Sequence, residues 1–238
     1  MPIKGGSVVG VLGGMGPEAT VDLMARVIAL TPAQDDADHI HMLINNNPKV
    51  PSRIKAIIEG IGASPVPILI DMAKGLEQQG ADYLAMPCNT AHYYYSDIAQ
   101  SVNIPFINLL EITVAAVRME NASVKKVGLL ASSALQITRL YEPVFQTFDI
   151  TVLYPRADIQ SELMNLITEI KAKRQTDASL RSMELAANNL INQGADHLVV
   201  ACTELSLITD RLPTNKGHTD AADVLAREIV RISRGSSV

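Results

Sequence analysis

Cys88 and Cys202 are the only cysteines in this 238-residue sequence, and each closes the same phrase. QGADYLAMPC (79–88) and QGADHLVVAC (193–202) share Gln-Gly-Ala-Asp, a leucine two residues on, and a cysteine nine residues after the glutamine. A thiolate is a base and a thiol is an acid, so two in register suit proton transfer at a carbon beside a carboxylate. Two cysteines make no disulfide framework, and a redox pair usually has them close together, as in Cys-x-x-Cys. A metal site needs more ligands than two thiols. His39 and His41 fall on one face of an expected strand but have no third ligand nearby in sequence, so no metal is expected. A lone cysteine is often only a small buried core residue. The shared register argues for more than that.

The elements that must position these thiols follow from periodicity. Short apolar runs read as buried strands at 7–14, 39–45, 82–87 and 105–110, then at 124–132, 150–155 and 197–201. Helical patterns lie between them, at 17–30, 64–80 with a glycine cap, after Cys88, at 160–172, at 176–193 and at about 220–234. Strands alternating with helices predict parallel sheets covered on both faces. The order repeats: Val-Gly-Val-Leu-Gly at the first strand resembles Val-Gly-Leu-Leu-Ala at 127–131, and Gly10 to Cys88 and Gly128 to Cys202 span 78 and 74 residues. The expected fold is therefore two similar flavodoxin-like α/β domains related by a pseudo-twofold axis. The first takes 1–108 plus 219–238 and carries Cys88; the second takes 109–218 and carries Cys202. The boundary is expected near 106–123, where the chain turns polar at MENASVKK.

Ligands of parallel α/β sheets bind beyond the carboxyl ends of the strands, where both cysteines fall. Two facing halves would bring one thiol to each wall of a single cleft. Asn89, Thr90 and Thr203 are good helix caps, and a helix N-terminus is expected to lower a thiol's pKa and hold a carboxylate.

The formal net charge of −5 and the absence of basic blocks interleaved with aromatics give no reason to expect nucleic-acid binding. No apolar run approaches membrane length, and the N-terminus, punctuated by glycine and followed by an acidic residue, does not read as a signal peptide. The expected state is two free thiols in the cytoplasm.

GVLGGMGPEAT (10–20), NNP with PSR (46–53), PCNTAH (87–92) and ACTE (201–204) resemble the cofactor-independent aspartate/glutamate racemases, in the right order over nearly the whole chain. The resemblance implies racemisation of an acidic amino acid, aspartate first and glutamate second, by a homodimer without pyridoxal phosphate or any other cofactor. It implies that Cys202 takes the Cα proton of the L-enantiomer and Cys88 that of the D-enantiomer. It places Met15 of GGMG in the cleft and Asn89, Thr90 and Thr203 on the substrate's carboxylate and amine. Arg53 and Lys171 would bind its side-chain carboxylate. Ser132 stands where the family usually has Thr, and His92 and Glu204 would tune the thiols or orient the loops. The sequence departs from the family in Pro51-Ser52-Arg53, where Pro-Asp-Arg is common, and in Leu135, where a second Thr is common.

Alternatives remain at this stage. A maleate isomerase, hydantoin racemase or arylmalonate decarboxylase type would differ around the carboxylate-binding positions or keep one working cysteine. A non-catalytic small-anion binding protein would bind without exchanging the α-hydrogen.

Overall fold

The computed structural model describes residues 6–58, 60–212 and 216–235, so the outermost residues of the expected first domain lie outside it. Two compact units emerge. One takes the chain to Ile112 and again from Ala222; the other is Thr113–Ala221.

In the first unit the order is β1 (Val9–Gly13), α1 (Pro17–Leu30), a 3-10 turn at Asp36–Asp38, β2 (Met42–Asn46), α2 (Arg53–Ile57), α3 (Val66–Gln78), β3 (Tyr83–Ala85), a 3-10 segment at Thr90–Tyr94, α4 (Tyr95–Ala99) and the start of α5 (Leu109–Glu120). The second unit continues with β4 (Lys126–Leu130), α6 (Ser133–Thr138), α7 (Glu142–Gln146), β5 (Thr151–Leu153), α8 (Ala157–Lys171), α9 (Asp177–Asn192), β6 (His197–Val200), α10 (Thr203–Ser206) and β7 (His218–Asp220). Beyond its first residue, α11 (Ala221–Ser233) belongs to the first unit. Both sheets are parallel, ordered β2-β1-β3 and β5-β4-β6-β7. The central strand of each is the first of its unit, the order that follows when βαβ crossovers wind both ways from one strand.

The repeated phrase is structural before it is chemical. In α3 the buried residues are Leu69, Met72, Ala73 and Leu76; in α9 they are Met183, Ala186, Ala187 and Leu190, at the same spacing. One apolar stripe thus faces each sheet, and each fully buried leucine contributes about 1.5–3 kcal/mol. The helix comes so close that a Cβ on Gly10 would sit 3.1 Å from that of Leu76, and one on Gly128 would sit 2.8 Å from that of Leu190. Only glycine fits there. After each helix, Asp82 Oδ2 accepts the Val8 N–H at 2.7 Å, and Asp196 Oδ2 accepts those of Lys125 and Lys126 at 3.0 and 2.9 Å. Gln-Gly-Ala-Asp therefore turns the chain and pins the start of the central strand.

The next position differs between copies, and so does its contact. Buried Tyr83 donates to the Ile229 carbonyl at 3.1 Å and pairs with Ser233 Oγ at 2.8 Å, which ties α11 to the first sheet. Its counterpart His197 meets Thr219 Oγ1 at 2.8 Å, and that hydroxyl donates to Glu120 at 2.6 Å, which ties β7 to α5.

The structure corrects several expectations. Residues 105–110 form no strand: Phe106 bridges Leu84 in isolation, and Asn108 Oδ1 then accepts the Leu110 N–H at 3.1 Å and opens α5. The polar boundary near 106–123 is thus crossed by a helix. β2 begins at Met42, leaving His39 and His41 exposed before it. The segment after Cys88 is a 3-10 turn followed by the five-residue α4. The short α2, α6, α7 and β7 carry no extended period and were not expected from the sequence.

Candidate functional site

Gly13 ends β1, and Gly14 and Met15 follow it. The Gly14 N–H donates to Thr20 Oγ1 at 2.9 Å, and Asn47 N–H donates to the Gly13 carbonyl at 3.3 Å. Gly14 has φ +94°, and a Cβ there would lie 2.3 Å from the Asn47 carbonyl carbon and oxygen. The GGMG and NNP motifs thus interlock through backbone. Met15 is buried in the same apolar cluster as Val50 and Cys88.

Ser52 accepts the Lys55 N–H at 3.3 Å and caps α2, a task serine performs about as well as the aspartate common in the resembling family. Arg53 opens that helix. Its Nη1 donates to the Pro51 carbonyl at 3.0 Å and the Val50 carbonyl at 3.4 Å, while its Nε is buried with no hydrogen-bond partner. A buried donor left unmade costs about 1–3 kcal/mol, which an arriving acceptor would recover.

Cys88 lies three residues past β3 and is 6% exposed. Asn89 and Thr90 follow, the first buried and the second half-buried. Asn89 stands at the N-cap of the 3-10 turn but makes no capping bond through its side chain, contrary to the expectation. The Cys88 carbonyl is held instead by His92, whose Nδ1 lies 2.9 Å away.

In the second unit Cys202 is 8% exposed and is itself the N-cap of α10, so Thr203 is the first helical residue rather than the cap. Ser206, four residues on like His92, gives its hydroxyl hydrogen to Asp220 Oδ1 at 2.6 Å, and its backbone N–H donates to the Cys202 carbonyl at 3.0 Å. Cys202 Sγ donates to Glu204 Oε2 at 3.1 Å, and Lys171 Nζ lies 3.5 Å from Glu204 Oε1. That approach is an ion pair without hydrogen-bond geometry, since Oε1 is buried and has no hydrogen-bond partner. Lys171 ends α8 and remains partly exposed.

The Cys202 thiol is pushed well above its ordinary pKa, first by burial and then by the Glu204 charge; Lys171 opposes them. A lowered pKa was expected. A four-residue helix has too little dipole to offset burial beside a carboxylate.

Ser132, at the N-cap of α6, and Thr203 are both buried. Leu135 is fully buried and packs in the core. Sequence reasoning missed Gln160 and Asp220. Gln160 Nε2 donates to the Ala131 carbonyl at 3.0 Å and Ser133 Oγ at 3.2 Å, bracketing Ser132. A glutamine in mid-helix carries no signal by itself, whereas HTD ending an apolar-free stretch gave no strand to place Asp220 on. Among the described residues, no group of three or more His, Cys, Asp or Glu side chains is placed to hold a metal ion. No helix among them is long and apolar enough to cross a membrane.

A model of the Asp/Glu/Hydantoin racemase family matches residues 12–229. The chain belongs to this family. Membership makes the protein an isomerase of the racemase class, built on the α/β fold described above. It is 28% identical over 226 residues to the broad specificity amino-acid racemase RacX of Bacillus subtilis (strain 168), covering 93% of this chain and 96% of the relative. The solved structure of Picrophilus torridus aspartate racemase superposes with a TM-score of 0.84 at 29% identity, over 96% of this chain and 94% of that one. The glutamate racemase isoform RacE1 of Bacillus anthracis shares the fold, with a TM-score of 0.67 at 18% identity over 95% and 81% of the two chains.

Proposed function

We propose that this racemase interconverts L- and D-aspartate, with glutamate as a second substrate, by proton exchange at Cα between Cys88 and Cys202 and without pyridoxal phosphate. One observation carries the reading: each unit holds one buried cysteine just past the end of the equivalent strand, with its carbonyl held by the residue four positions on, through the His92 ring in the first and the Ser206 N–H in the second. A racemase must treat mirror-image substrates alike, and matched groups on two faces are a direct solution. One cysteine starts as thiolate and removes the Cα proton; the other, a thiol, delivers a proton to the opposite face. The raised pKa of Cys202 fits the starting thiol. The Cα–H is a weak acid, so the developing charge needs a dry site and donors aimed at the carboxylate. Burial of Asn89, Ser132 and Thr203 supports such a site, with Thr90 and Met15 beside the first cysteine. The unpartnered Nε of Arg53 supports an anion-binding role for that residue.

A broader substrate range is the second reading. It is favoured by Lys171, which already faces Glu204, and by the relative named for broad specificity. Chiral chromatography of a panel of L-amino acids incubated with the protein and no added cofactor separates the two. Aspartate and glutamate alone racemise under the first reading, and neutral amino acids join them under the second. Binding of aspartate with no α-hydrogen exchange in deuterated water would make the protein a binding module instead. The homodimer implied by the family resemblance is read by light scattering.

A further inference from the structure

At the start of the second sheet, lysines gather where the fold itself asks for none. Lys125, Lys126 and Lys216 line a cavity of about 520 Å³ together with Asn121 and Asp196, all within the second unit. Lys126 opens β4, whereas Cys202 follows the far end of β6, and the two strands run parallel. The cavity therefore lies at the opposite end of the sheet from the thiol. A molecule bound there is not the one that the thiol serves.

The internal repeat supplies a control. Ser7, Val8, Gly80 and Asp82 of the first unit answer to Lys125, Lys126, Gly194 and Asp196 of the second. Asp82 accepts the Val8 N–H as Asp196 accepts those of the two lysines, so backbone holds the turn in both copies. The turn does not require lysine at either position, and only the second copy has it. Three positive side chains there meet one negative, an excess of two charges in a protein whose formal net charge is −5. Among the described residues none of the three lysines makes an ion pair. Asp196 is already engaged: the Lys125 and Lys126 amides first, and then the Lys216 and Lys126 charges, hold its carboxyl below the ordinary pKa. Lys126 Nζ stands by the Gly194 turn, 3.7 Å from where a Cβ on that glycine would lie. Asn121 Oδ1 accepts the N–H and hydroxyl of Ser123 at 3.1 and 2.8 Å, which leaves Nδ2 without a partner among the described residues.

We propose that this cavity binds a small phosphate-class polyanion, with a diphosphate group as the best fit. The case for a polyanion is one of magnitude. A single exposed ion pair is worth little, so chloride or one carboxylate gains next to nothing. A ligand that meets three ammonium groups and an amide donor together sums those gains, for a dissociation constant on the order of 1 mM. Phosphate concentrates charge on a compact group, which suits the point charge of lysine. No large apolar or aromatic side chain lines the cavity, so the charged group alone is recognised. Binding draws together the end of α5, the start of β4, the turn before β6 and the approach to β7, and stabilises the fold by mass action.

The test is calorimetric titration of the whole protein with inorganic pyrophosphate at constant ionic strength. One equivalent should bind with a dissociation constant on the order of 1 mM, and orthophosphate should bind several-fold more weakly. Lys126→Gln/Lys216→Gln should weaken pyrophosphate about fivefold or more. Lys74→Gln/Arg181→Gln removes the same charge from exposed positions elsewhere and should change the affinity less than about twofold. Equal weakening by the two pairs reduces the effect to bulk charge and overturns the site, as does no binding at about 10 mM. The lysines hold the turn through backbone, so Lys126→Gln/Lys216→Gln should keep the wild-type thermal midpoint. The wild type alone gives a second readout. Pyrophosphate should slow acetylation of Lys125, Lys126 and Lys216 but not of Lys74, read by peptide mass spectrometry, and uniform rates overturn the proposal. Neither measurement involves turnover, so the anion site stands or falls apart from the racemase reading.

Discussion

His92 Nδ1 stands 2.9 Å from the carbonyl oxygen of Cys88, while the Leu109 N–H approaches Nε2 to 3.1 Å from the other side. The Leu109 amide can only donate, so Nε2 carries a lone pair and Nδ1 carries the hydrogen given to Cys88. The ring is neutral and joins the loop holding the cysteine to the start of α5. Burial lowers its pKa from 6.5 to about 4, against hydrogen bonding to the backbone of Cys88 and Ile107, which favours the charged form.

That depression has a sign. Between pH 6.5 and about 4 the unfolded chain binds a proton at His92 and the folded one does not, so stability should fall as pH drops through this window. The full effect is about 3 kcal/mol. Urea unfolding at several pH values should show the slope in the wild type and its reduction in His92→Gln. Equal slopes would mean that His92 titrates normally.

Cys88→Ala and Cys202→Ala should each abolish racemisation, a loss of about a thousandfold or more. Each variant should retain α-hydrogen exchange for one enantiomer at most, read by mass spectrometry in deuterated water. Loss of L-aspartate exchange is expected with Cys202→Ala, and of D-aspartate exchange with Cys88→Ala. Normal turnover in either variant would defeat the two-base scheme.

Arg53→Ala should raise the Michaelis constant for aspartate and lower kcat/KM by roughly 10–100-fold, the worth of a charge-assisted contact to a carboxylate. The loop carbonyls of Val50 and Pro51 lose a donor as well, so the thermal midpoint should be recorded beside the kinetics. An unchanged Michaelis constant would remove Arg53 from the site.

Two glycines make opposed predictions. Gly14→Ala must place a Cβ 2.3 Å from Asn47 at φ +94°, and should cost about 2 kcal/mol or more. Gly75 lies inside α3, where an added Cβ meets nothing within 4 Å, so Gly75→Ala should stabilise by about 0.5–1 kcal/mol. Denaturant midpoints measure both, and a tolerated Gly14→Ala would show that the interlock of GGMG with NNP is slack.

Much of the fold was legible because hydrophobic period is a local signal. The 17–30 helix matches α1 end to end, and the long amphipathic patterns locate α3, α8 and α9 within a few residues. Residues 105–110 were misread for an equally local reason: an apolar run of six does not reveal whether it pairs or coils. The sign that should have decided it was Asn108 with Glu111 three residues on, a helix-start pattern in which Asn108 Nδ2 bonds Glu111 Oε1 at 2.8 Å.

The candidate thiols were visible as a register between two copies of one phrase, and no tertiary contact was needed to single them out. From the sequence alone came the strand–helix alternation, the repeat and the pair of cysteines, because chain spacing and residue type suffice to define them. Only the fold decided that Cys202 bonds Glu204, that Lys171 comes from another helix to face it, that His92 is neutral and that Arg53 keeps a buried donor unpaired. Protonation and charge depend on burial and on neighbours brought from distant parts of the chain, and those are set by packing.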